Sequence, residues 1–326
     1  MSRVPLVVFL SALSIWADGQ SIAPLYPLPG QGIPQGLFAL KEMDMHLHSG
    51  MERPVELNAW LDLAISDGRK VLVLLDHLEL YRKTPEEYAA WAKEQDFQTW
   101  YTVGAAGHQA LFDDIDRVAA TRKDVIIFKG WEIYEGELDT GLEAEPMKMV
   151  DVIGWHISPH HGGEAPNGQL LIKRAKQLKE IQKQFPIPMI LFHPFTMRIE
   201  NLQRTAQKEG KDPKSLAVSD YRFFQPGDQQ ELIEVLRNSS IYIENAHGTE
   251  SCMKNPVLRE ALIQDIRPLA EAGVQFIVST DNHGLESAKR PFTPETYCEA
   301  LGITPKNTNT IVRELLALRA RNALSE

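Results

Sequence analysis

EMDMHLHSG, residues 42–50, places two histidines one residue apart at the end of a β-like run and just before a Ser-Gly turn. In a strand, residues i and i+2 share a face, so His46 and His48 project together from one strand end. Paired neutral imidazoles are the beginning of a metal site. An isolated His-x-His is equally a pair of surface histidines at a loop mouth, so the rest of the chain decides between the two readings.

Seven runs read as strands: LKEMDMH (40–46), KVLVLLD (70–76), DVIIFKGWE (124–132), MVDVIGWH (149–156), PMILFH (188–193), SIYIEN (240–245) and VQFIVSTD (274–281). Most are continuous apolar runs, as in strands buried on both faces of a parallel sheet. Helical signals separate them. Thr84-Pro85-Glu86-Glu87 combines a cap, an early proline and early acids, and residues 256–272 stop at Gly273. The alternation predicts βα units around a parallel sheet, and seven such strands predict a closed barrel, with an open doubly wound sheet as the alternative.

The residues able to do chemistry fall at the ends of these runs. His46 and His48 follow the first, Asp76 and His77 the second, Glu132 the third, His156 the fourth, His193 the fifth, and Asp281 and His283 the seventh. In a parallel barrel all these ends open on one face, where active sites lie. Each residue alone has an ordinary explanation: a hydrogen-bonded core histidine, an ion-pair partner, a helix cap. Those explanations would have to hold independently at every strand end. One shared site for Zn, Mn or Fe accounts for all of them, since the donors are nitrogen and oxygen.

The same strings resemble the polymerase and histidinol phosphatase (PHP) family from about residue 41 to 285. DMHLHSG looks like its opening Asp-x-His-x-His, LLDH its Asp-His motif and GWE its Gly-x-Glu. DVIGWHIS, LFHPF and STDNH follow in the family's order. The resemblance implies a distorted (β/α)7 TIM-like barrel holding two to three divalent metal ions. His46, His48, Glu132 and Asp281 would hold one ion, with Glu132 bridging to a second held by His156 and His193. His77 and His283 would hold the third. The family usually adds a further His or Asp shortly after the His-x-His pair; this chain has Met51-Glu52-Arg53 there, which makes Glu52 the candidate.

Asp76 and Asp44 are expected behind the ligands, keeping imidazoles in their tautomers. Glu132, Asp281, His283 and Arg53 are the expected catalytic residues, and Arg53 and His247 the expected substrate contacts. The implied activity is that of a metal-dependent phosphoesterase, with a metal-activated hydroxide attacking a phosphate ester. The competing functions are an amidohydrolase acting on C–N bonds and a secreted metal- or ligand-binding protein without turnover. The amidohydrolase class typically has eight strands and often a modified lysine at the bridge.

A net charge of −10 over 326 residues disfavours general binding to nucleic acid and leaves a small phosphorylated substrate as the expected partner. Cys252 and Cys298 form no Cys-x-x-Cys, which excludes a thiolate zinc site. Residues 1–19 have Arg3, an apolar run and a small-residue end, the layout of a signal peptide for periplasmic or extracellular export. The apolar run is short for a membrane span. Residues 20–40 read as a Pro/Gly-rich arm and 41–326 as the barrel domain.

Overall fold

The structure, a computed structural model, describes residues 36–48, 56–95, 104–134, 142–157, 166–246 and 248–323. The expected leader, most of the expected arm, Glu52, Arg53 and His247 lie outside the described residues. Seven strands are present: β1 (Met43–His48), β2 (Val71–His77), β3 (Ile126–Ile133), β4 (Val152–His156), β5 (Met189–Phe192), β6 (Ile241–Ala246) and β7 (Phe276–Ser279). They pair in parallel and in chain order from β1 to β7.

The sheet closes on itself just beyond β7. The Asp281 N–H donates to the His46 carbonyl at 3.0 Å, and the His48 N–H donates to the Asn282 carbonyl at 3.0 Å. Asp44 on β1 braces this seam, accepting from the Thr280 backbone N–H at 2.9 Å and the Thr280 hydroxyl at 2.8 Å. An open doubly wound sheet reverses its strand order at a switch point and has two free edges. Here the order is unbroken and the edges meet, so the fold is a nearly closed (β/α)7 barrel, as the resemblance implied.

Strands and helices follow local chemistry. β2, β5, β6 and β7 are buried at every position, as their continuous apolar runs require. Helix Pro85–Gln95 begins at a capping box, in which the Thr84 N–H donates to Glu87 Oε2 at 2.8 Å and the Glu87 N–H to Thr84 Oγ1 at 3.3 Å. Helix Pro256–Glu271 starts under the Asn255 side chain, which accepts from the Val257 and Leu258 N–H groups. It is followed by Gly273 at φ 88°, a left-handed turn that suits glycine. The polar stretch after β5 is largely helical. Its helix Asp228–Leu236 packs beside Gly168–Gln182, with Lys176 paired to Glu231.

The strand bounds shift from expectation by up to three residues, and two of the shifts have identifiable reasons. β1 starts at Met43 because Leu40–Glu42 forms a 3-10 turn, with the Glu42 carboxylate accepting from the Ala39 N–H at 2.8 Å. β7 ends at Ser279, and Asp281 turns out of the extended region at φ 51°. The last residues of the expected arm are docked on the domain. Phe38 is buried, and its N–H donates to Asn309 Oδ1 at 2.8 Å. The two cysteines are unpaired, with Cys298 buried beside Asn245. No helix among the described residues is long and apolar enough to cross a membrane.

The barrel interior below its mouth is filled by large rings. The Phe192 ring lies 4.0 Å from the His46 ring, and Gly154 on β4 leaves the room it occupies. A Cβ on Gly154 would fall inside that ring. Gly154→Ala is therefore expected to destabilise the fold by about 1–3 kcal/mol, the usual range for overpacking a core. The reading is the urea midpoint at constant slope, and an unchanged midpoint would show that Phe192 has another place to go.

Candidate metal centre

The register of the sheet places the ligand candidates together. His77 on β2 is the cross-strand partner of Glu132 on β3, and Glu132 that of Gly154 on β4. His46 and His48 share the inner face of β1, and His156 ends β4. His193 follows β5 in the left-handed conformation, φ 55°, at the start of helix Pro194–Lys208. A non-glycine residue there, before a proline, is strained by about 1–3 kcal/mol and must be held by its surroundings. Asp281 is also left-handed, φ 51°, and its N–H is held by the His46 carbonyl.

Glu244 on β6 holds His193. It accepts the His193 N–H at 2.8 Å and lies 2.7 Å from His193 Nδ1. Its other oxygen lies 2.8 Å from His46 Nδ1 and accepts the Ser279 hydroxyl at 2.6 Å. These are hydrogen-bond lengths. They place the proton of both imidazoles on Nδ1 and aim both Nε2 atoms at the barrel mouth.

The contacts around Nε2 are longer. His46 Nε2 lies 3.4 Å from Glu132 Oε2 and 3.3 Å from Asp281 Oδ1. His48 Nε2 lies 2.9 Å from His46 Nε2, 3.0 Å from Glu132 Oε2 and 3.6 Å from Asp281 Oδ1. His193 Nε2 is 3.6 Å from both Glu132 Oε1 and Asp281 Oδ2. His156 Nδ1 is 3.2 Å from Glu132 Oε1, and His77 Nδ1 is 3.6 Å from Glu132 Oε2. Donor atoms bound at about 2.1 Å stand roughly 3.0 Å apart at right angles and roughly 3.4 Å apart in a tetrahedron. The inner contacts match that spacing. Glu132 Oε1 and both ring nitrogens of His156 are also buried with no hydrogen bond among the described residues. A cation satisfies all three, so the residues fit divalent metal ions.

Among the described residues three groups of donors have ligand atoms within 4.8 Å of one another: His46 with Glu132 and His193, His46 with His48 and Asp281, and His48 with His77 and His283. Glu132 reaches five imidazoles, His46, His48, His77, His156 and His193, through two oxygens. Every group is at the mouth, and the cluster opens outward: the Glu132 side chain is 2% exposed, whereas His283 is 24% and Asp281 32% exposed.

The metal-free cluster balances its charge with protons. Burial alone would push the His46 imidazole down, but the Asp281, Glu244 and Glu132 carboxylates more than offset this and hold it at about 10. His193 is likewise held well above the ordinary histidine value against the pull of burial, mainly by Glu244 and Asp281. Burial pushes His48 down to about 4, helped by the charges of His283 and His77. Burial also takes His156 to about 3. Burial would raise the carboxyls of Glu132, Asp281 and Glu244, yet the imidazoles around them keep all three ionised.

Of the expected metal ligands, the cluster brings together His46, His48, His77, Glu132, His156, His193, Asp281 and His283. Asp44 sits deeper, spent on Thr280 and on Arg69 at 3.4 Å. Asp76 accepts the His77 N–H at 2.8 Å and faces His108 Nε2 at 3.6 Å. Sequence reasoning passed over Glu244, although a lone acid inside the apolar run IYIEN was a visible signal. It also passed over Tyr134, whose ring stacks on His77 at 5.0 Å and 3°.

Fold and site together define a parallel barrel with a cluster of metal-capable histidine, aspartate and glutamate side chains at its mouth. No sequence family and no curated protein matches the chain. Among solved structures it is similar to the histidinol phosphate phosphatase of Lactococcus lactis, which was solved with zinc, L-histidinol and phosphate. That match has 13% identity and a TM-score of 0.49, covering 81% of this chain and 95% of that one. A candidate histidinol phosphatase of Listeria monocytogenes gives 14% and 0.46, covering 78% of this chain and 100% of that one. A D-hydantoinase gives 14% and 0.33, covering 77% of this chain and 49% of that one. Such likeness concerns the path of the chain, and the chemistry is carried by the side chains described above.

Two expectations follow. Glu244→Gln keeps a similar shape but offers one imidazole an N–H instead of an acceptor, so metal affinity should fall about 10–100-fold with the fold intact. Competition against a chelator measures it, and unchanged affinity would mean that His46 and His193 are oriented by something else. Metal binding should also release protons. At neutral pH the metal-free protein carries protons on His46 and His193 that ligation displaces, so affinity should weaken as pH falls. Calorimetry in buffers of different ionisation enthalpy should show about two protons released on loading, from these two rings. Loading without proton release would contradict the charge balance.

Proposed function

We propose that this protein is a metal-dependent phosphoesterase acting on a small phosphorylated substrate. The observation that carries the reading is the ring of five imidazole nitrogens 3.0–3.6 Å from the two oxygens of buried Glu132. Divalent ions held there would supply Lewis acidity toward a phosphoryl oxygen and acidify bound water. The ligand sets are those of the resemblance: His46, His48, Glu132 and Asp281 for one ion, and Glu132, His156 and His193 for the second. Zn, Mn and Fe all suit such donors.

The chain's own residues divide the remaining work. Glu132 would serve as the carboxylate ligand shared by the first two ions, lending its negative charge to both. Glu244 keeps the Nδ1 protons of His46 and His193 directed away from the ions. Asp281 and His283, the more exposed members, sit where substrate arrives, with His283 Nε2 held by Asp281 Oδ1 at 3.1 Å. Phe192 and the closed barrel exclude water from below. Arg53 and His247 are proposed to contact the phosphate. The seven-stranded barrel and a glutamate at the bridge favour this reading over an amidohydrolase with eight strands and a modified lysine. The lysine of β3, Lys129, pairs with Asp116 instead.

The test is metal-loaded protein on a panel of phosphomonoesters, phosphodiesters and cyclic amides. Turnover of phosphate esters is expected, falling by about a thousandfold or more in Glu132→Gln, with bound metal lost in parallel. Turnover confined to cyclic amides, or full activity and metal content in the variant, would overturn the proposal.

A further inference from the structure

We propose that Glu79 is the carboxylate ligand of a third cation position, held with His77 and His283 and bordered by His48. This rests on the metal-site reading above and concerns the position for which the sequence offered Glu52. The imidazole atoms of His48, His77 and His283 lie close enough together to share an ion. Three neutral imidazoles carry no charge against a divalent cation, and the two carboxylates they already touch, Glu132 and Asp281, also serve the neighbouring ions.

Glu79 lies two residues past His77, in the first turn of the short helix Leu78–Arg82 that follows β2. Its Oε1 stands 3.7 Å from His77 Nδ1, beside the 3.6 Å contact of the same nitrogen with Glu132 Oε2. Both separations are too long for a hydrogen bond and close to those of donors around one cation. The His77 ring cannot swing away from this arrangement easily. It is stacked between His48, at 4.6 Å and 15°, and Tyr134, at 5.0 Å and 3°. Its Nδ1 therefore stays between the two carboxylates. The Glu79 side chain is 30% exposed, comparable to Asp281 at 32% and His283 at 24%. A ligand there closes the outer edge of the third position without taking a donor from the other two.

The experiment counts metal, independently of activity. Full-length protein, Glu79→Gln, Glu79→Asp and Glu52→Gln are equilibrated with Zn²⁺, desalted and measured by elemental analysis, with circular dichroism as the fold control. Wild-type protein should hold about three ions, Glu79→Gln about one fewer, and Glu52→Gln the full number. Glu79→Asp keeps the charge on a shorter arm and should bind the last ion about tenfold or more weakly, which tests the claim should Glu79→Gln fail to fold. A full count with an unchanged last-site affinity in the Glu79 variants, or a wild type that never holds more than two ions, overturns the proposal. Failure of the phosphoesterase reading would appear only in the substrate panel, with the metal counts unaffected.

Discussion

The Glu244 carboxylate is the interaction on which the rest of the site depends. An ionised carboxylate with no access to water costs several kcal/mol unless donors surround it. Glu244 has four: the Nδ1 groups of His46 and His193, the His193 backbone N–H and the Ser279 hydroxyl. Burial would raise its pKa, but the two imidazoles bring it down to about 2. The four donors come from β1, from the end of β5 and from β7, while the acceptor is on β6. One side chain thus joins strands from both sides of the barrel seam and sets the direction of two metal-facing rings. It also stabilises the left-handed backbone of His193, which Pro194 would otherwise disfavour.

The residues that close the barrel are also members of the cluster. The His46 backbone accepts from Asp281 across the seam while its ring faces the Asp281 carboxylate at 3.3 Å. His48 donates across the same seam while its ring stacks at 4.0 Å on His283. Behind them Asp44 ties β1 to Thr280, and buried Arg69 compensates its charge. A cation held by His46, His48 and Asp281 would draw together β1 and the segment after β7, the two elements whose meeting closes the sheet. Metal binding would add to folding stability by mass action, because the separated strands of the unfolded chain offer no such set of donors.

The cluster also shows why His46, His193, His48 and His156 differ in pKa although burial lowers each of them. His46 and His193 face carboxylates on both sides of the ring and retain a proton in the absence of metal. His48 and His156 gain less from carboxylates and are crowded by other imidazoles, and burial makes them neutral. Neutral rings are ready ligands, whereas protonated ones become ligands only as the cation replaces the proton.

The sequence by itself determined the barrel's strands and the candidate ligands at their ends. Strands buried on both faces are written as unbroken apolar runs, and a polar residue that ends such a run has nowhere to go but the mouth. The helix starts at Thr84 and Asn255 were legible for a similar reason, because capping is a contact between near neighbours in the chain. Tertiary structure decided what depends on residues far apart in sequence. Glu244 reads as one acid in a strand, and only the meeting of β1, β5 and β7 around β6 turns it into the hub of two histidines. Glu79 reads as an ordinary acid in a helix's first turn, and only the stacking of His77 between His48 and Tyr134 sets a ring nitrogen beside it. Local pattern records which face a residue takes; which partner waits on that face is settled by the closure of the sheet.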